Sequence, residues 1–233
     1  MMKATPIRDL IKINPRFLRS AQLERDFSDP TALNGYIVTP EVQGYLRNLG
    51  RGLKPNSGER AWRITGDYGS GKSSFALLLA NLMGRTTYDL PKSIRYLRGD
   101  LGLSRHAIPF LPILVTGSRE PMAYAIVRSL HEALESGIDG RKKLECRRIL
   151  SDIIAASQVP DQRAIAAISG AAKELVEKGI FGGLLIILDE LGKFLEFSAR
   201  HPDKQDVYFL QQLAETSSRS NSFPILTIGL RRI

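Results

Sequence analysis

The feature that most constrains this chain is an eight-residue run, Gly66-Asp67-Tyr68-Gly69-Ser70-Gly71-Lys72-Ser73. It follows a strand-like stretch, AWRIT at residues 61–65, and precedes an apolar run with helical spacing, Phe75, Leu78, Leu79, Leu82 and Met83. A strand, a G-x-x-x-x-G-K-[ST] loop and a helix in that order make the context in which the pattern describes a phosphate cradle. Glycines let the backbone turn its N–H groups inward, in conformations that a Cβ obstructs. The helix start adds partial positive charge. In this reading 66–73 bind phosphate, with Lys72 on the β- and γ-phosphates and Ser73 on Mg²⁺. Ser74 follows as a helical neighbour of the cradle.

A fold must supply the rest of the site, and the apolar runs say which kind. Residues 109–115, 184–188 and 224–228 are near-continuous apolar stretches, the pattern of strands buried on both faces of a parallel sheet. Between them lie further stripes: Ala123, Ile126, Val127, Leu130 and Leu134; Cys146, Ile149, Leu150, Ile153 and Ile154; Ile165, Ile168, Ala172, Leu175 and Val176; Val207, Leu210, Leu213 and Ala214. Strands alternating with helices predict an α/β fold with right-handed crossovers. The third strand ends on Asp189-Glu190. A carboxylate at the C-terminal end of an apolar strand is the metal-side partner of a phosphate loop, at the edge where open α/β sheets bind ligands. Asp189 is expected to hold Mg²⁺ through water, and Glu190 to orient or deprotonate the attacking water. On the last strand Thr227 is the polar candidate for sensing the γ-phosphate, with Arg231 and Arg232 close behind. A threonine also suits a strand core.

Residues 1–40 read as irregular, with a turn at Ser28-Asp29-Pro30. A helix is expected from Glu41, on the stripe Val42, Tyr45, Leu46, Leu49 and Leu53, capped by Thr39 with Pro40 at its first position. This gives a lead-in segment and helix over 1–58 and a core over 59–233.

Composition narrows the function classes. With 43% hydrophobic and 24% charged residues the chain is neither disordered nor collagen-like. No apolar run reaches the roughly 20 residues of a membrane span, and the N-terminus lacks the apolar stretch of a signal peptide. One cysteine, Cys146, permits no intrachain disulfide and fits a reducing cytoplasm. His106, His131 and His201 are scattered and no paired-cysteine or HExxH spacing exists, which argues against a transition-metal site. The net charge of +9 lies mostly in the first 120 residues, including Arg85, Lys92, Arg95, Arg98 and Arg105. A basic face can attract nucleic acid, so DNA enters as a partner alongside an acidic neighbouring domain. A second basic run, Arg141, Lys142, Lys143, Arg147 and Arg148, is interleaved with acids as an exposed helix face would be.

The loop at 66–73 with Asp189-Glu190 resembles the additional-strand, catalytic-glutamate class of P-loop ATPases, which includes AAA+ and signal-transduction ATPases. The resemblance implies a three-layer sandwich with a mainly parallel sheet in the order 5-1-4-3-2, ATP and Mg²⁺ as cofactors, and hydrolysis that drives conformational change. The extra helices near 121–178 would lie between strands two and three. GDYGSGKSSFALLLA, DELGKFLEFSARHPDKQDVYFLQQLAE and FLRSAQLERDF look like large bacterial ATP-binding proteins of phage-defence systems of the BREX type. Such proteins work in larger assemblies with protein partners. They continue beyond strand four into a fifth strand, a helical lid and often an arginine finger, so the sequence reads as a fragment, or as a chain completed by another. Two other readings stand beside hydrolysis: a nucleotide switch that binds ATP without turnover, and a DNA-binding module that uses ATP as cofactor.

Overall fold

The structure, a computed structural model, describes residues 21–140, 142–156, 159–201 and 206–232. Four strands form one all-parallel sheet: β1 Ala61–Gly66, β2 Leu111–Thr116, β3 Leu184–Asp189 and β4 Ile225–Arg232. Their order is β1-β4-β3-β2, so the last strand enters between the first and the third. All four strands expected from the apolar runs form, with boundaries shifted by a few residues. The sheet is flanked by α1 Leu23–Ser28, α2 Pro40–Gly52, α3 Lys72–Gly84, α4 Met122–Gly137, α5 Glu145–Ile154, α6 Asp161–Glu177, α7 Leu191–Arg200 and α8 Asp206–Arg219.

The period-two alternation of strand side chains divides the core in two. Leu184, Ile186 and Leu188 of β3 face one cluster, with Ile113 and Val115 of β2 and the apolar sides of α4, α5, α6 and α8. Leu185 and Ile187 face the other, with Leu226, Ile228 and Leu230 of β4 and all of the apolar surface of α3. The result is an α/β fold with helices on both faces of a parallel sheet, with β3 buried throughout and the edge strand β1 only partly covered.

α3 departs from its expected amphipathic stripe. Every residue from Phe75 to Met83 is buried, because the sheet covers one side and the lead-in segment covers the other. Leu23 of α1, Ala32, Leu33, and Leu46 and Leu49 of α2 belong to the same cluster as α3 and the sheet. Tyr45 meets Phe75 edge-on, with ring centroids 6.0 Å apart. Residues on both sides of the expected 58/59 division thus share one apolar cluster. Residues 23–28 are also helical rather than irregular. Thr39 caps α2 as expected, its hydroxyl accepting from the Val42 N–H at 3.4 Å.

Two other expectations change in the packed chain. On α8, Phe209, Leu213 and Ser217 face inward and Val207 is exposed, so the true stripe is rotated from the expected one. The basic cluster is partly structural. Arg98 is buried and donates to the carbonyl groups of Arg85 and Ala107, while Arg95 donates to Leu90 O at 2.7 Å. Arg85 lies over the Phe27 ring and binds Asn81 Oδ1 at 2.6 Å. Only Lys92 and Arg105 of the five are exposed outright. In the second run, Arg147 caps the end of α4 through Leu134 O and Ile138 O, and Arg148 pairs with Glu145 and Asp152; Arg141 lies outside the described residues. Among the described residues no helix is long and apolar enough to cross a membrane.

Candidate functional site

A cleft of about 750 Å³ opens at the C-terminal edge of the sheet. It collects the loop after β1, the acid pair after β3, the end of β4 and the lead-in segment. The loop geometry comes from two glycines. Gly69 and Gly71 have φ of +79° and +83°, a region that side-chain-bearing residues rarely adopt, and Gly71 is the residue from which α3 starts. Lys72 folds back across the loop: its Nζ donates to Gly66 O and Asp67 O, each at 2.7 Å, and to Ser70 Oγ at 3.2 Å. An ammonium held only by neutral loop oxygens is able to exchange those hydrogen bonds for stronger ones to an anion. Tyr68, Gly69, Ser70, Gly71, Ser73 and Ser74 line the cleft with it.

β3 delivers the opposite wall. Asp189 is buried, and its Oδ1 accepts from the Glu190 N–H at 2.8 Å. Burial pushes the Asp189 carboxyl above its ordinary pKa. Hydrogen bonds from Ser73 and the Glu190 N–H work against that shift, while the charges of Glu190 and Glu24 add to it. Ser73 and Asp189, expected to share a metal, are thus in direct contact. Glu190 takes a left-handed backbone conformation, φ 51° and ψ 41°, at the start of α7. A non-glycine residue there is strained, a condition that clusters at functional sites. Its carboxylate pairs with Lys193 Nζ and, at 3.4 Å, with Arg232 Nη2. Gly117 makes this turn possible: its N–H donates to Asp189 O at 2.9 Å, and a Cβ there would lie 2.4 Å from Glu190 O.

Thr227 does not reach the site. It pairs in register with Ala61 at the start of β1, whereas Gly66 pairs with Arg232. Five residues of strand put it about 16 Å from the loop end. Its hydroxyl is buried against Ser217 Oγ at 2.8 Å. Strand length is the reason: β4 runs on to Arg232 instead of ending at 228. The side chain that does meet the acid pair is Arg232, which also lies over the Tyr68 ring at 4.6 Å.

Sequence reasoning missed two further features. Glu24 of α1 reaches the end of β2, accepting from Thr116 N at 2.8 Å and Thr116 Oγ1 at 2.9 Å. Ala32, Leu33 and Tyr36 from the lead-in turn, with Leu77 of α3, give the cleft an apolar end. The apolar pair Leu23 and Phe27, four residues apart, was the available signal for α1.

The donor set fits Mg²⁺. Ser73 Oγ and the Asp189 carboxylate are hard oxygen donors side by side. Among the described residues no group of three or more His, Cys, Asp or Glu side chains could hold a metal ion, so such a cation would take its other ligands from water and phosphate. Elsewhere, Cys146 is buried, with its thiol pushed up to about 12 chiefly by burial, which suits packing and not nucleophilic chemistry. No family model, curated protein or solved structure matches the chain.

Proposed function

We propose that the chain binds ATP with Mg²⁺ and hydrolyses it, as a P-loop NTPase three-layer sandwich of the additional-strand class. The observation that carries this reading is the meeting of Lys72, Ser73, Asp189 and Glu190 in one cleft at the C-terminal edge of the sheet. The placement of β4 between β1 and β3 supports it, since the class inserts strand four there.

In this reading the loop N–H groups and Lys72 hold the phosphates, and Ser73 and water-linked Asp189 hold Mg²⁺. The cation neutralises charge that develops on the phosphoryl oxygens. Glu190 orients and polarises the attacking water. Arg232, not Thr227, takes the place beside the terminal phosphate. Leu33, Tyr36 and Leu77 form the surface for the base. ATP is named over GTP on the class resemblance, and a role in a larger bacterial defence or DNA-processing assembly rests on the sequence resemblance alone.

The test is paired. Lys72→Ala is expected to lose ATP binding. Glu190→Gln is expected to bind ATP and turn it over at least about 100-fold more slowly, the lower range for a general base. Hydrolysis undiminished in Glu190→Gln would remove the general-base role, and absence of Mg²⁺-ATP binding by the unaltered chain would remove the whole reading.

One observation favours a second reading, the ATP-dependent switch without turnover. The Glu190 carboxylate is engaged by both Lys193 and Arg232, and a carboxylate so paired is a poor base. Single-turnover hydrolysis compared with equilibrium binding separates the two readings.

A further inference from the structure

The lead-in segment does more than cover α3. Glu24 uses both carboxylate oxygens on Thr116, one on its N–H and one on its hydroxyl. Thr116 ends β2, pairs in register with Asp189, and lines the cleft. The Glu24 carboxylate is thereby held at the strand position that neighbours Asp189. The neighbouring cations are occupied elsewhere: Lys72 by loop carbonyls, Arg25 by Asp26 and Arg232 by Glu190. A carboxylate placed beside a buried carboxylate costs stability unless a cation offsets it.

We propose that Glu24 is a positioning residue for the divalent cation of this site, an outer-sphere carboxylate supplied by the lead-in segment. The inference rests on the Mg²⁺-ATP reading above and adds to it a residue outside the loop and the acid pair. Each carboxylate oxygen accepts one hydrogen bond from Thr116 and keeps a lone pair for a second donor. Mg²⁺ retains several waters, whose protons need such acceptors. Holding Thr116 also fixes the end of β2 against Asp189. Retention of the cation is thereby coupled to docking of α1, which packs between α3 and β2.

A purely structural role is the competing account. β2 is an edge strand of the described sheet, and the Thr116 N–H needs an acceptor. Glu24→Gln separates the two, because the amide oxygen still accepts from that N–H while the charge is gone. The full chain is titrated with Mn²⁺, an EPR-visible stand-in for Mg²⁺, with and without a non-hydrolysable ATP analogue. Glu24→Gln is expected to raise the half-saturating Mn²⁺ concentration roughly tenfold, the low end for outer-shell partners. Analogue affinity in EDTA should stay unchanged, and the melting temperature of the metal-free chain should not fall. Thr116→Val, which keeps the charge but removes one anchor, should weaken Mn²⁺ binding by a smaller factor.

Mn²⁺ titrations identical to the unaltered chain in both variants overturn the proposal and leave Glu24 a strand cap. An equal loss of metal-free analogue affinity in Glu24→Gln also overturns it, since the effect would then not be on the cation. Failure of the unaltered chain to bind the analogue overturns the ATP reading instead. Glu24 is then judged on Mn²⁺ alone: a weaker response in Glu24→Gln supports it, and equal or absent binding overturns it.

Discussion

Asp189 carries a charge in a place that disfavours charge. Its carboxyl is buried, beside Glu190 and within reach of Glu24, and its pKa is raised. A raised carboxylate pKa in the folded chain means that the ionised form is held less well than in the unfolded chain, so above that pKa the group lowers stability. Asp189→Asn keeps an oxygen for Ser73 and the Glu190 N–H. It should therefore raise the melting temperature of the metal-free chain, by about 2–4 °C if about 1 kcal/mol is relieved. On the proposed Mg²⁺-ATP reading, the same variant should also lose the stabilisation expected from Mg²⁺ with nucleotide. Thermal melts with and without Mg²⁺-ATP check both halves, and a lowered melting temperature would contradict the cost assigned to this carboxylate. Lys72, Ser73, Asp189 and Glu190 were legible as residues because their spacing to a strand end is local information. Glu24 was not, and Arg232 was legible only as a residue close behind Thr227, since their places depend on a helix of six residues and on where β4 ends.

At the scale of elements, α5 and α6 are joined by a carboxylate that acts as a helix cap. Glu174 on α6 accepts from the N–H groups of Glu145 and Cys146 at the start of α5, at 2.9 and 2.8 Å, and pairs with Lys178. Its burial alone pushes the carboxyl up, but the Lys178 ammonium and the two backbone donors together outweigh that and hold it at about 2. A depressed carboxylate contributes stability that is present above its unfolded pKa, about 4.3, and is lost as the pH falls towards about 2. Glu174→Gln is expected to cost on the order of 1–3 kcal/mol at pH 7. That difference should shrink between about pH 4.3 and pH 2. Denaturant unfolding at a series of pH values measures it; a gap that does not narrow in acid would disprove the cap. Elements were legible where one periodicity ruled. α2 announced itself by Thr39-Pro40 and its stripe, and the strands by unbroken apolar runs. The register of α8 was not legible, because Val207 and Phe209 are both apolar and only tertiary packing decides which turns inward. The all-round burial of α3 was hidden for the same reason: its second neighbour is the lead-in segment, far from it in sequence terms of periodicity.

At the scale of the whole molecule, the two clusters on either side of the sheet share their strands, so the lead-in segment, the loop and the acid pair belong to one packed unit. Arg60 reinforces this at the base of β1. Its buried guanidinium binds carbonyl groups at the end of α2, Gly52, Leu53 and Lys54, together with Ser220 and Asn221 beyond α8. The fold class was legible from the alternation of strands and helices, whereas the packing of the lead-in segment onto α3 was not, since a loop rich in Pro, Asn and Gly looks the same inside a unit as between two.

The strand order also dictates when the cleft can form. β1 pairs only with β4 in the described sheet, and β4 is the last of these four strands to leave the ribosome. Until it arrives, the strand that carries the glycine-rich loop lacks its hydrogen-bonded neighbour in the described sheet, and the loop has no fixed relation to the acid pair. Long-range parallel pairing of this kind is slow to form. Nascent chains arrested before residue 225 are therefore expected to be cleaved by protease near β1 and to retain no ATP analogue, and chains released through Arg232 to resist cleavage and bind it. Protection of β1 in the arrested chains would show that some other segment holds it first.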